Sequence, residues 1–171
     1  MTNIITTKTI VSVFLTDLAA YNNGILRGEW VALPTTREEL DAAFERVTCG
    51  QDHETFVTDY ESEFGVKVDE YENLYKLNEM LSEIDPDDFD VIAAYLEAVS
   101  DNINEAIENA DRCTLYSNCE TLEDLAYELV EKGSFGDIPE SVRNYIDYSA
   151  IARDLGFEGY YETTYGVLDF I

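Results

Sequence analysis

Residues 10–16, Ile-Val-Ser-Val-Phe-Leu-Thr, are β-branched and aromatic, and a second run of that kind at residues 29–33 follows the turn residues Asn22-Asn23-Gly24. The pattern predicts two antiparallel strands. Thr36 is placed to cap a helix, with Glu39 three residues on to complete a capping box and Leu40, Ala43, Phe44 and Val47 forming the apolar stripe. Gly50 ends it. Residues 54–60 read as a third strand, so the chain up to Val66 is expected to form a small antiparallel sheet with one helix against it.

From Val68 to Asp111 the period becomes helical throughout, with breaks at Asp85-Pro86 and Ser100-Asp101-Asn102; Pro86 suits a first helical position after an Asp85 cap. In the first of these helices Tyr71, Leu74, Leu77 or Asn78, Leu81 and Ile84 face inward, while Glu72, Lys76, Glu79 and Glu83 share the outer face. In the second, Phe89, Ile92, Ala93, Leu96 and Val99 face inward and Asp87, Asp90, Ala94, Glu97 and Asp101 outward. In the third, Ile103, Ala106, Ile107 and Ala110 are inside and Glu105 and Glu108 outside. The remainder is mixed: a strand at residues 114–116, a helix at 121–132 stopped by Gly133, short helices opened by Pro139 and Asp147, and a terminal hairpin of residues 159–163 and 167–171. The fold class is α+β in three small consecutive domains: sheet plus helix at 1–66, an acidic helical bundle at 67–111, and a mixed helix and strand domain at 112–171.

Charge changes the picture. Thirty-seven Asp plus Glu stand against ten Lys plus Arg, a formal charge of −27, far beyond what solubility requires of a small domain. Disorder does not account for it, because hydrophobic residues make up 46% of the chain and recur at helical or strand spacing. Halophilic adaptation stays open, since such proteins carry acidic surfaces of this kind. The charge disfavours nucleic acids and anionic lipids as partners, and no apolar run approaches the roughly 20 residues that span a bilayer. Cys49, Cys113 and Cys119 form no disulfide framework, and Met1-Thr2-Asn3-Ile4-Ile5 lacks the basic and apolar regions of a signal peptide, so a cytoplasmic location is expected.

Candidate chemistry is thin. His53 lies in a polar loop without a second histidine or a cysteine at ligand or triad spacing, and reads as an incidental surface residue. Cys113 and Cys119 lack a second ligand pair and read as small buried thiols. The acidic run at residues 85–90 lacks the glycine and distal glutamate of a calcium loop. Among so many acids, a glycosidase-like carboxylate pair is expected by chance. No catalytic residue, metal or cofactor is therefore expected. What remains is geometry: residues four apart on a helix stand about 6 Å apart along one face, and duplex DNA carries a negative charge about every 3.4 Å along each strand. Ranks of carboxylates on packed helices can approximate a phosphate array.

The stretch Tyr21-Asn22-Asn23-Gly24-Ile25-Leu26-Arg27-Gly28-Glu29-Trp30-Val31 resembles the opening signature of the ArdA antirestriction proteins. Gly136-Asp137-Ile138-Pro139-Glu140-Ser141, then Asn144-Tyr145-Ile146-Asp147-Tyr148 and Ala152-Arg153-Asp154-Leu155, resemble the family's C-terminal motif. Thr58-Asp59-Tyr60-Glu61 and Leu74-Tyr75-Lys76-Leu77-Asn78 also look familial. The resemblance implies an elongated, three-part homodimer coated with Asp and Glu that imitates bent duplex DNA in the DNA-binding site of type I restriction-modification enzymes, without turnover. The candidate phosphate mimics are Glu72, Glu79, Glu83, Asp87, Asp90, Glu97, Asp101, Glu105 and Glu108, with Tyr71, Leu81, Phe89 and Leu96 as core. Tyr145, Ile146, Tyr148, Tyr160 and Tyr161, with Tyr165 and Phe170, exceed what a small C-terminal part readily buries and are candidates for the dimer interface. Two other classes stay open: a DNA mimic aimed at a repressor or nucleoid protein, and a carboxylate enzyme or calcium buffer.

Overall fold

Val11, Val13 and Leu15 are buried while Ser12 and Phe14 are half-buried, the period-two pattern of a strand with one face on a core. This strand, β1 (Val11–Asp17), is followed by a five-residue helix, α1 (Leu18–Asn22), then β2 (Gly28–Leu33), α2 (Arg37–Thr48), β3 (Thr55–Ser62) and α3 (Leu74–Ser82). The strands form an antiparallel sheet in the order β2-β1-β3. α2 lies on β1 and β2 and buries Leu40, Ala43 and Val47. These three strands and α2 match the sequence pattern; α1 was not expected, because five residues are too few to display a helical period. The computed structural model describes residues 8–170, so Ile171 of the predicted hairpin lies outside the described residues. The chain divides into two compact units, Met1–Pro86 and Asp87–Ile171, and the division falls inside the stretch that reads as one run of helices.

The corner between β1 and β2 is held by a buried acid. Asp17 is fully buried at the N-cap of α1, where its Oδ1 accepts from the Ala20 amide at 3.0 Å. Its Oδ2 accepts from Nδ1 of His53 at 3.0 Å and from Arg27 at 3.2 Å. His53 is thus no incidental surface residue: it is the largest cause, ahead of the Ala20 amide, holding the Asp17 carboxyl below its ordinary range, against the opposing effect of burial. Gly24 takes φ +77°, and a Cβ on Gly28 would meet the Leu15 carbonyl oxygen at 2.5 Å, so both glycines are required by the backbone here. The stretch at residues 21–31 is therefore a structural device.

α3 belongs to this first unit. Asn78 accepts from the Thr35 amide at 2.7 Å and donates to the Thr35 carbonyl at 2.9 Å, which stitches α3 to the segment before α2. Tyr75 stacks on Phe44 and donates to Asp41 at 2.6 Å, with the Arg37 guanidinium over its ring. Two expectations fail locally. Tyr71, expected in the core, is 67% exposed, because it precedes the helix and stacks against Phe56 from the rim. Glu39 does not close a capping box: Thr36 accepts from its amide at 3.1 Å, but its carboxylate turns to Arg46 at 2.9 Å, where charge adds to the hydrogen bond.

In the second unit a 3-10 turn at Pro86–Asp88 leads into α4 (Phe89–Ala98), followed by α5 (Ile103–Asn109), β4 (Cys113–Tyr116), α6 (Leu122–Glu131), α7 (Glu140–Arg143), α8 (Tyr148–Phe157), β5 (Tyr160–Thr163) and β6 (Gly166–Phe170). The antiparallel sheet runs β4-β6-β5, its centre strand carrying the buried run Gly166, Val167, Leu168. That run follows from cover on both faces. Val167 joins Cys119, Leu125, Ala126 and Leu155 beneath α6 and α8, while Phe170, on the opposite face, meets Tyr95 of α4 edge-on. α4 touches all three strands and α5. Ala94, expected outside, is therefore 0% exposed, and Ile92, Ala93, Tyr95 and Leu96 are buried with it. Phe89, expected in the core, is half-buried.

Replacing Asp17 with Asn is expected to cost about 1.5–3 kcal/mol at pH 7, the worth of hydrogen bonds to a charged group. Because the folded carboxyl titrates below its ordinary 3.8, its contribution is complete above that pH and disappears as pH falls through the lower folded value. Urea unfolding of both proteins from pH 7 to pH 2 should show the gap closing only below about pH 4; a gap independent of pH would contradict the ionised assignment.

Candidate functional site

Of the nine acids proposed as phosphate mimics, Glu79, Glu83, Asp87, Asp90, Glu97, Asp101, Glu105 and Glu108 are exposed and Glu72 is half-buried. Glu72, Glu79 and Glu83 stand in the first unit and the others in the second. Glu79 and Glu83 are one turn apart on α3, about 6 Å along the axis. Asp87 precedes α4, Asp90 is in its first turn, and Glu105 and Glu108 share a face of α5. Glu97 also serves the fold. Its carboxylate accepts from the Thr164 amide at 3.0 Å and the Thr164 hydroxyl at 2.6 Å, pinning the turn between β5 and β6.

The helix ends carry a cost that packing does not require. A helix C-terminus presents partial negative charge and is stabilised by Lys, Arg or His in its last turn. α3, α4, α5, α6 and α8 have no basic residue in their last turns. Glu83 caps α3 and Glu108 lies in the last turn of α5, each opposing the dipole by about 0.3–1 kcal/mol, whereas Glu97 at the end of α4 is held by Thr164 and Glu131 at the end of α6 by Arg143, beside Lys132 at the C-cap.

Basic residues are meanwhile spent locally. After Pro86 the chain has Arg112, Lys132, Arg143 and Arg153. Arg112 donates to Asn109 and lies over Phe170, Lys132 pairs with Glu128, Arg143 with Glu131 and Glu140, and Arg153 with Asp154. In the first unit Arg46 bridges Glu29 and Glu39, which hold its guanidinium well above the usual range. The excess negative charge is left outward, and it extends beyond the central helices: Glu123, Glu140 and Glu158 on the second unit and Glu38, Asp59 and Glu61 on the first are exposed too. Sequence reasoning favoured residues 67–111 because bases are scarce there, and so passed over acids whose neighbouring bases are tied up.

The proposed interface aromatics differ among themselves. Tyr145 is 86% exposed, whereas Tyr148 and Tyr160 pack on the second unit's own core, and Tyr148 stacks on Tyr127. Ile146, Tyr161 and Tyr165 are half-buried. Phe170 is engaged by Tyr95 and Arg112. Phe157, 83% exposed at the end of α8, was missed. Among the described residues, no group of three or more His, Cys, Asp or Glu could hold a metal ion, and no helix is long and apolar enough to cross a membrane. Burial, then the Glu128 hydrogen bond, pushes the Cys119 thiol up to about 11, far from a nucleophile's range.

A protein-family model for the antirestriction protein ArdA matches residues 13–169. The chain belongs to the ArdA antirestriction family. A search of curated proteins finds no match. ArdA proteins are inhibitors and not enzymes, consistent with a surface whose distinguishing property is charge. ArdA-like motifs in this chain acquire physical roles: residues 21–31 build the Asp17 corner, Tyr75 and Asn78 dock α3, and Asp147 accepts from the Ala150 amide to cap α8.

Glu83→Gln and Glu108→Gln are each expected to stabilise the protein by about 0.3–1 kcal/mol by removing a charge that opposes a helix dipole. Chemical denaturation in low salt measures this. Loss of stability in both variants would contradict the view that these acids are held against the fold's preference.

Proposed function

We propose that this ArdA-family chain acts as a mimic of duplex DNA, occupying the DNA-binding groove of a type I restriction-modification enzyme stoichiometrically, with no turnover. The observation that carries the reading is the retention of exposed acids at helix C-termini that would be more stable without them, while nearby bases are tied up internally. Local rules are broken in this way where function demands it. A DNA-binding groove gains affinity from Lys and Arg neutralising phosphates, and a rigid carboxylate array offers it the same charge. We further propose that two copies pair through the C-terminal part, with Tyr145 and Phe157 at the contact. The cytoplasm, where the restriction enzyme works, is the proposed location.

Titration of the protein into a type I restriction digest is expected to abolish cleavage at a stoichiometric ratio. Raising salt from about 50 to 200 mM should weaken inhibition by at least tenfold, because the contacts are many and ionic. The same salt should raise the melting temperature of the free protein by screening self-repulsion. Full cleavage at large molar excess of inhibitor would overturn the proposal.

Replacing Tyr145 and Phe157 together with Ser should shift sedimentation from dimer to monomer with little change in melting temperature, since both rings are mostly exposed. An unchanged dimer would remove these residues from the interface.

A further inference from the structure

The two faces of the first sheet are unequal. One is covered by α2. On the other, Trp30, Phe14 and Asp59 stand in one row across β2, β1 and β3, and Ala32, Ser12 and Glu61 in the next. Trp30 is 47% exposed and meets Phe14 edge-on at 5.4 Å; Asp59 and Glu61 are exposed. Adjacent strands lie about 4.8 Å apart, so the carboxylates rise roughly 10 Å from the Trp30 column, across the Phe14 ring. A half-exposed tryptophan contributes little to this sheet's own core, and such residues concentrate the energy of protein interfaces.

We infer that this face is a docking site for arginine side chains of the partner enzyme. The choice of occupant follows from charge and shape. The acids exclude an acidic partner, and the aromatic row requires a cation that tolerates desolvation. A guanidinium stacks flat on an aromatic ring, and over the Phe14 ring, one strand from Asp59, it can still offer its fork to a carboxylate while a second stacks on Trp30, whereas a lysine ammonium is a strongly hydrated point charge that stacks poorly. The inference rests on the DNA-mimic reading in taking the partner to be a basic, DNA-binding enzyme, and it adds a contact that phosphate imitation alone does not supply: an apolar platform beside the carboxylates, equivalent to a base presented beside its backbone.

Trp30 is the chain's one tryptophan, so its emission reports this face alone. Octa-arginine and octa-lysine peptides carrying a dye would be titrated into the full chain. Octa-arginine is expected to change Trp30 emission with a midpoint about fivefold below that of octa-lysine. Asp59→Asn with Glu61→Gln should raise the arginine midpoint about threefold or more, while Glu105→Gln with Glu108→Gln, equal in charge removed, should move it less than twofold. Dye-detected binding with no change in Trp30 emission, equal midpoints for the two peptides, or equal effects of the two double variants would each overturn the inference. In the restriction digest, Trp30→Ala and the exposed Asp59→Asn, Glu61→Gln pair should each raise the half-inhibitory concentration about tenfold. Undiminished inhibition by both would sink the docking face and leave DNA mimicry standing. Failure of the unaltered protein to inhibit would sink mimicry, and the peptide titration would still judge the face.

Discussion

Repulsion among carboxylates sets the terms for every other part of this molecule. With a formal charge of −27 on 171 residues, compaction brings like charges together, and each exposed acid must be held in place by packing that does not itself involve charge. The two units meet this demand with small, dense cores. In the second, a sheet is covered on both faces, one of them by α4, whose Ala93 and Ala94 are both 2% exposed or less. Fixed backbone elements are what turn a diffuse negative cloud into charges at defined positions. At physiological ionic strength the screening length is about 8 Å, so position matters at the scale of one or two helical turns.

Acids that enter the interior obey different rules from those outside, and the contrast shows how the chain separates structure from display. Asp17 is ionised and buried because His53, Arg27 and the Ala20 amide together replace its water. Asp169 on β6 has a poorer environment: burial pushes its carboxyl up, with a hydrogen bond from Tyr160 in partial opposition. Its ionisation is thus less favourable in the folded chain than in the unfolded one, the opposite sign to Asp17. Glu97 stands between these cases, exposed yet binding Thr164 on a distant turn. Its removal would loosen a hairpin as well as subtract a charge, which sets it apart from Glu105 or Glu108 as a probe of binding.

Much of this was legible in the sequence where a residue's role is set by its neighbours in the chain. The six strands, the cap at Thr36, the helix opened by Asp147 and the turn at Gly133 follow from period and local hydrogen bonding. Most of the misses come from contact at long range; those at Tyr71 and α1 come from local limits of the period. Ala94 looked outward until α4 was packed against both a sheet and α5. Tyr71 looked buried because its spacing continued a helix that begins only at Leu74. His53 looked incidental because its partner is 36 residues away. Acidity was legible as a total, but the sequestering of each base, such as Arg46 by Glu29 across 17 residues, was not.

If the chain mimics DNA as proposed, rigid placement bears directly on how it can compete with a polymer. DNA offers a groove a continuous run of charge at about one per 1.7 Å, denser than any row on one helix. A helix-borne rank at about 6 Å spacing gives fewer charges per length and must recover affinity elsewhere. Two sources are physically available. One is preorganisation, because acids fixed on short helices lose less freedom on binding than a flexible acidic tail would. The other is apolar contact, which DNA can supply only from its bases. The exposed ring of Trp30 is therefore as relevant to the proposed mimicry as the carboxylates, since it can bury area that charge alone cannot, while Tyr145 and Phe157 are assigned to the proposed contact between copies.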